Sequence, residues 1–413
     1  MNKAYLIALI LPSYNSKSIN EEIEEMILLA NTLNFDIIDT FIQKKTSPDS
    51  STYFGKGKIK EIINKCEIMK VDTIFINDEI NPSFYKNITK MCKNKIKVID
   101  RTKLILDIFH LHAKTNEAKK QIELASLEYM LPRVVGQWTH LERQMGGTGT
   151  TGGPGEKQVE IDRRLIRKSI DRLKKELSNI QKQHNNQIKS RENIFKVALA
   201  GYTNSGKSTL LKKITGYNVL IKDQLFATLD TVTKKYTLPS NSNILISDTV
   251  GFLRKLPHNL IASFRSTLSE IIEADLIVQV VDINSTDLKG HISTINETLK
   301  FIGADNKNKI LVFNKIDKVE NDHVFNHINK EFSNPILISA MNDLNIDSLI
   351  NSIDRIVLKS TKEHCIKIPH SSFALIKYIY DNTAVIKRND QYDYVEFNFR
   401  CSDNVFNIIK SRI

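Results

Sequence analysis

Cysteine is scarce and scattered in this chain. Cys66, Cys92, Cys365 and Cys401 form no C-x-x-C pair. That excludes a disulfide framework and the usual zinc spacings, and it suits a reducing compartment. Long apolar runs are also missing. None approaches the ~20 residues a membrane helix needs, so no membrane partner is expected. Lys3 followed by apolar residues 4–11 has the start of a signal peptide. No small-residue cleavage site follows, the run works well as a first strand, and a cytoplasmic protein is expected. Glycine is sparse too, and six of the fifteen crowd into residues 146–155. Acidic residues fall short of basic ones, 47 against 59. The formal charge of +12 suits a polyanion such as RNA, although part of it reflects a lysine- and asparagine-rich composition. At 413 residues and 41% hydrophobic content, two or three domains with real cores are expected.

What the chain does have is organised around Gly201-Tyr202-Thr203-Asn204-Ser205-Gly206-Lys207-Ser208, followed by Thr209. This fits the phosphate-loop pattern G-x-x-x-x-G-K-[ST] at every fixed position. Residues 195–200 before it read as a buried strand, and residues 208–214 after it can start a helix. Glycines let the backbone wrap a phosphate with its N–H groups inward, and the helix N-terminus adds positive potential. Lys207 can reach the β- and γ-phosphates, and Ser208 can ligate Mg²⁺.

Further motifs follow in the order a guanine-nucleotide site requires. Asp248-Thr249-Val250-Gly251 ends an apolar run. The aspartate can hold Mg²⁺ through water, and the Gly251 N–H can meet a γ-phosphate. Asn314-Lys315-Ile316-Asp317 ends another. The Asp317 carboxylate can accept the N1–H and the exocyclic amine of guanine, donors that adenine does not offer in that arrangement. Asn314 would meet N7, the Lys315 stem would cover the ring, and Ser339-Ala340-Met341 would close the pocket. Phe226-Ala227-Thr228-Leu229-Asp230 lies between the phosphate loop and Asp248. Thr228 can add a second hydroxyl to Mg²⁺, which makes this segment a switch that orders with GTP. Lys207, Thr228 and Gly251 are the candidate catalytic residues. Phe252 stands where many GTPases carry a water-orienting glutamine, so slow intrinsic hydrolysis is expected. Asn204 either offers its carbonyl to a monovalent cation such as K⁺ or stabilises the loop.

Before the phosphate loop, strands alternate with helices over residues 1–114, which implies a small parallel α/β domain. Strands are expected at 5–11, 35–42, 73–77 and 95–100, and helices at 20–33, 58–69 and 82–92. The turn Tyr53-Phe54-Gly55-Lys56-Gly57-Lys58 is either a phosphate site or a plain basic turn. Residues 115–192 read as an antiparallel helical hairpin. Its first helix starts at Asn116 and must bend or break near Pro132. Ala118, Ile122, Ala125 and Tyr129 form its seam. The second helix starts near Glu156 and carries a heptad seam of Val159, Ile166, Leu173 and Ile180, with Ile170 and Leu177 between. The glycine-rich tip spans about 145–155. Between Lys157 and Arg191 stand eleven basic and four acidic residues. The hairpin is either a flexible loop on a solvated helix pair or a basic probe for RNA. The nucleotide domain covers 193–360. Residues 361–413 suggest a small α+β domain, with strands at 373–379, 383–387 and 393–399 and a helix at 403–410.

Taken together, these motifs resemble the HflX family of ribosome-associated GTPases. The resemblance rests on the guanine set joined to Phe226-Ala227-Thr228-Leu229-Asp230 and to Phe252-Leu253-Arg254-Lys255-Leu256-Pro257-His258. Upstream it rests on Asp100-Arg101-Thr102, Gln121-Ile122-Glu123-Leu124-Ala125, Trp138-Thr139-His140-Leu141-Glu142-Arg143-Gln144 and Gly153-Pro154-Gly155-Glu156. It spans about 2–360, with a weaker tail; Lys157 and the longer loop 146–153 depart from the pattern. The resemblance implies a P-loop GTPase domain, Mg²⁺ at Ser208 and Thr228, and GTP as substrate. It also implies binding to the large ribosomal subunit, in stress, assembly or subunit splitting. The hairpin tip and the basic helix 157–191 would contact ribosomal RNA near the peptidyl-transferase region, and the protein would act as a monomer. An alternative from the basic 53–58 turn is an RNA-remodelling ATPase in the N-terminal domain, regulated by the GTPase.

Overall fold

A computed structural model of the protein describes residues 2–12, 16–93, 95–134, 154–189, 194–217, 226, 231–255 and 268–413. The chain forms two compact units. The first comprises Met1–Gln181, Asp223–Asp230 and Leu253–Ser266; the second comprises Lys182–Lys222, Thr231–Phe252 and Thr267–Ile413.

In the first unit the elements are β1 (Asn2–Ile10), α1 (Ser16–Thr32), β2 (Phe35–Lys44), α2 (Lys56–Met69), β3 (Thr73–Ile76), α3 (Pro82–Met91), β4 (Lys97–Asp100), α4 (Arg101–His112) and α5 (Asn116–Met130). The strands make a parallel sheet in the order β2-β1-β3-β4. Central β1 is buried over six consecutive residues, which explains its unbroken apolar run. Helix α4 was not anticipated from the sequence. Leu104, Ile105, Leu106, Ile108 and Phe109 are all buried, as are Arg101 and Thr102, so the solvent-facing stripe of Lys103, Asp107 and His110 is narrow and the amphipathic period is weak. Its N-cap is Asp100, whose carboxylate accepts from the Lys103 N–H at 2.9 Å. Helix α5 is capped by Thr115 and ends two residues before Pro132, the expected break.

The long helix α6 (Pro154–Lys189) carries the heptad seam. Ile170 and Leu173 are buried, and Ile166 and Leu177 pack beside them. Their partners are Leu124 and Leu127 on α5 and Leu131 just after it, not the seam read from the sequence. Ala118, Ile122 and Ala125 are buried, while the Tyr129 hydroxyl donates to Asp100 Oδ1 at 2.8 Å. Lys120–Glu176 and Lys174–Glu128 ion pairs join the two helices at 2.9 and 2.8 Å. The tip at 145–153 lies outside the described residues.

The carboxyl end of the first sheet is crowded with charge. Arg101, 1% exposed, pairs with Glu25 of α1 and donates to the Arg254 carbonyl at 3.1 Å. Arg254 pairs with Glu21 at 2.8 Å. Lys255 pairs with Glu22 at 2.8 Å and Asp78 at 2.7 Å. Arg133 pairs with Asp100 at 3.3 Å. A buried charge is tolerated when paired in this way.

The second unit holds β5 (Phe195–Gly201), α7 (Lys207–Thr215), β6 (Val232–Thr237), β7 (Asn243–Asp248), α8 (Ser269–Glu273), β8 (Leu276–Asp282), α9 (Leu288–Phe301), β9 (Asn308–Asn314), α10 (His323–Glu331), β10 (Ile336–Leu337) and α11 (Ile346–Ser360). The strand order is β10-β9-β8-β5-β7-β6, parallel except for β6. Its core includes Leu199, Leu210, Ile246, Val278, Val312 and Leu349.

The tail adds β11 (Lys362–Pro369), α12 (Phe373–Asn382), β12 (Ala384–Asp390), β13 (Tyr394–Cys401) and α13 (Asp403–Lys410). The strands pair antiparallel in the order β11-β13-β12, an α+β arrangement. One expectation fails here. Residues 373–379 form a helix, because Leu375 and Ile379 lie one turn apart and are buried together. Strand β11 was not foreseen.

Candidate nucleotide site

The site is built at the carboxyl ends of β5, β7, β8 and β9, where open parallel sheets place their ligands. β5 delivers the chain into residues 201–206, and α7 starts at Lys207. Gly206 has φ 92°, and a Cβ there would strike the Asn314 amide, so the position requires glycine. Gly251 approaches the loop closely: a Cβ would lie 2.8 Å from Thr203 Cα. Phe252 extends this contact. Its N–H donates to the Gly201 carbonyl at 3.0 Å, and its carbonyl accepts from the Thr203 N–H at 2.9 Å. The Phe252 ring is buried, so it offers no hydrogen bond to a water.

Lys207 is fully folded into the loop. Its ammonium donates to the carbonyls of Gly201 and Tyr202 at 3.1 and 2.9 Å. Burial pushes its pKa down to about 8, with Asp248 opposing. A desolvated cation held only by backbone carbonyls at a helix N-terminus is matched to an anion. The Ser208 hydroxyl donates to Asp248 Oδ2 at 2.6 Å, which brings two oxygen donors together. Such a hard-oxygen pair fits Mg²⁺, an ion that keeps waters and phosphate oxygens as its other ligands. Asp248 is 0% exposed at the end of β7, directly beside Leu199 of β5. The Thr249 hydroxyl ties that end to the Leu199 carbonyl at 2.7 Å. Val250 is buried beside it. Tyr202 stacks on His291 with ring centroids 4.0 Å apart. Asn204 is exposed with φ 59°, and Thr209 lies in α7.

The base end is also assembled. Asn314 Nδ2 donates to the Ser205 carbonyl at 2.8 Å, and its Oδ1 accepts from the Ala340 N–H at 2.9 Å. Asn314 therefore joins the phosphate loop to the Ser339-Ala340 turn, a role that its motif alone did not suggest. One Nδ2 hydrogen remains for a ligand. Asp317 accepts from the Ser339 hydroxyl, which fixes the carboxylate. Ile316 opens the short turn carrying Asp317, and Met341 is 73% exposed at the rim. Lys315 has left-handed backbone and pairs with Asp282, a residue that sequence reading missed.

Ala227, Thr228, Leu229 and Asp230 lie outside the described residues. Phe226 is buried and packs edge-on against Phe109 of the first unit at 4.5 Å. In the 53–58 turn, Lys58 pairs with Glu61 at 3.0 Å and lies over the Phe41 ring. That arrangement favours a plain basic turn. Among the described residues no helix is long and apolar enough to cross a membrane, and no cluster of three His, Cys, Asp or Glu could hold a metal.

Three family models match: the GTP-binding GTPase N-terminal region over 20–110, the GTP-binding GTPase middle region over 112–191, and the 50S ribosome-binding GTPase over 196–315. The chain is 35% identical to a GTPase HflX of Magnetococcus marinus, covering 95% of this chain and 91% of that one. It is 38% identical to a GTPase HflX of Caldanaerobacter subterraneus (94% and 88% covered) and 34% identical to that of Escherichia coli (89% and 86%). Among solved structures it is similar to a GTP-binding protein from Sulfolobus solfataricus in complex with GDP. That match has 28% identity and a TM-score of 0.43, covering 87% of this chain and 99% of that one.

Proposed function

The chain belongs to the HflX family of GTPases and hydrolyses GTP, and from that premise we propose that it is a GTP-driven switch acting on the large ribosomal subunit. The observation that carries the proposal is the 50S ribosome-binding GTPase match at 196–315, which spans the phosphate loop, Asp248 and Asn314. The protein acts in the cytoplasm as a monomer. The glycine tip 145–155 and the basic helix 157–191 contact ribosomal RNA, and hydrolysis resets the switch after rescue, splitting or assembly. Eleven basic residues between Lys157 and Arg191 support that contact.

Within the site, Asp317 selects guanine, Lys315 covers the ring, and Ser339-Ala340-Met341 closes the pocket. Lys207 and the amides of 201–208 hold the phosphates, and Gly251 senses the γ-phosphate. Ser208, Asp248 through water, and Thr228 are the residues that would hold Mg²⁺; when bound, the ion neutralises phosphate charge. Asn204 would lend its amide oxygen to K⁺. Intrinsic hydrolysis is slow because the buried Phe252 cannot orient water.

Sedimentation with ribosomes and separated subunits tests the proposal, with a non-hydrolysable GTP analogue and with GDP. Triphosphate-dependent pelleting with large subunits, lost on deleting residues 146–155, is the expected outcome. Free subunits released from intact ribosomes would point to splitting. Absence of co-sedimentation under every nucleotide would overturn the ribosomal part.

A further inference from the structure

The residues that hold the N-K-x-D turn in shape come from the neighbouring strand. β8 and β9 run parallel, with Asp282 opposite Asn314. The Ile283 N–H donates to the Asn314 carbonyl at 3.0 Å. The next residue, Lys315, has φ 67°, a left-handed backbone that an L side chain keeps only where its surroundings enforce it. Two neighbours do so. The Lys315 ammonium meets Asp282 Oδ2 at 2.7 Å. The Asn284 amide donates to the Lys315 carbonyl at 3.1 Å.

These two neighbours also hold each other. Asp282 Oδ1 accepts from the Asn284 backbone N–H at 3.0 Å and from its side-chain amide at 3.2 Å. One carboxylate oxygen is thus given to Asn284 and the other to Lys315. The lysine is tethered at both ends, its carbonyl by Asn284 and its head by Asp282. The four-carbon stem between the tethers keeps little rotational freedom. Lys315 and Asp282 side chains are 20% and 27% exposed, so solvent screens the pair only in part.

We infer that Asp282 and Asn284 are positioning residues for guanine binding, fixing Lys315 so that its apolar stem lies along the purine face. The inference rests on the guanine-pocket reading above. It separates two jobs within one pocket. Asp317 reads the base edge by hydrogen bonding, whereas the Asp282–Asn284 latch prepares the surface on which the ring rests. Pre-organisation of this kind lowers the ordering cost of binding. It acts on nucleotide capture and leaves the reacting phosphate alone.

The test compares Asp282→Asn, Asn284→Ala and Asp282→Glu in the full chain. Asp282→Asn should weaken GDP binding and raise the KM for GTP by about tenfold, with kcat unchanged. Asp282→Glu should recover part of the loss. Competition by inorganic tripolyphosphate, which has no base, should not change. In a Lys315→Met background, Asp282→Asn should have no further effect, because the latch has lost its object. An unchanged KM, additive losses in the double variant, or an equal loss of tripolyphosphate binding would each overturn the inference. If Asp282→Asn does not fold, Asn284→Ala carries the same cycle. If the wild-type protein shows no preference for GDP over ADP, the pocket reading itself fails. If it shows one and the variants do not respond, only the latch fails.

Discussion

Two lysines lie at the carboxyl ends of two parallel sheets in this chain, and burial acts on both. In the second unit, Lys207 donates to two backbone carbonyls, and desolvation lowers its pKa to about 8. In the first unit, burial also works against the charge of Lys255. There Asp78 and Glu22 more than offset it, and the pKa is raised above the ordinary lysine value. The contrast separates a candidate binding site from a structural seal. A buried cation whose partners are neutral is suited to receive an anion. A partly exposed cation held between two buried carboxylates is already satisfied, and the strand-end position that often takes a ligand is filled by the chain's own residues.

The contrast can be broken most sharply at Lys207. Lys207→Met should weaken GTP binding by at least about 100-fold, read by fluorescent-nucleotide titration. A loss under threefold would remove Lys207 from the phosphate site. Next in size is stability, where the two lysines should differ in sign. A pKa lowered from 10.5 to about 8 means that charged Lys207 destabilises the free protein at neutral pH, by on the order of 3 kcal/mol. Lys207→Met should therefore raise the denaturation midpoint of the nucleotide-free protein. Lys255→Met should lower it by about 2 kcal/mol, because Glu22 and Asp78 are left buried without their cation. Its effect on GDP affinity should stay below about threefold. Equal signs in urea titrations of the two variants would erase the distinction.

A pH dependence sharpens the same point. Above about pH 8 the free protein holds Lys207 neutral, so binding a phosphate takes up a proton and affinity falls as pH rises. Calorimetry at pH 8.5 in two buffers of different ionisation enthalpy should register that uptake; identical heats would count against it. The stability effect has the opposite direction. The unfolded lysine titrates near 10.5, so between about 8 and 10.5 the unfolded chain holds more protons. The penalty is full below about pH 8 and fades through that window. The smallest effect belongs to the 53–58 turn. Lys58→Ala should change nucleotide affinity by less than about twofold, since Lys58 is held by Glu61 at an exposed site. A larger loss would reopen a phosphate site there.

The legible parts of this chain are those whose chemistry is contiguous. The phosphate loop, Asp248-Thr249-Val250-Gly251 and Asn314-Lys315-Ile316-Asp317 each lie within a few residues. Each ends or follows a buried strand that its apolar run betrays. Partnerships between distant residues were hidden. Arg254 and Lys255 stand 233 and 177 positions from Glu21 and Asp78, and no local pattern marks those carboxylates. Asp282 is adjacent to Lys315 only because β8 and β9 are neighbours in the sheet. Local pattern also misled twice. Helix α4 shows only a narrow polar stripe, Lys103, Asp107 and His110, against a wide buried face, and α12 looked like a strand because apolar residues at helical spacing also fit an alternating run. The α6 seam was readable, yet its partner face on α5 was not, since two apolar stripes on α5 compete and packing chooses between them.

The most direct measurement exchanges the base. GDP and xanthosine diphosphate affinities would be compared for the wild-type protein and for Asp317→Asn. Xanthine replaces the exocyclic amine of guanine with a carbonyl, which an amide can serve and a carboxylate cannot. The account predicts a strong preference for GDP in the wild type and its reversal in Asp317→Asn. An Asp317→Asn protein that still prefers GDP would contradict it.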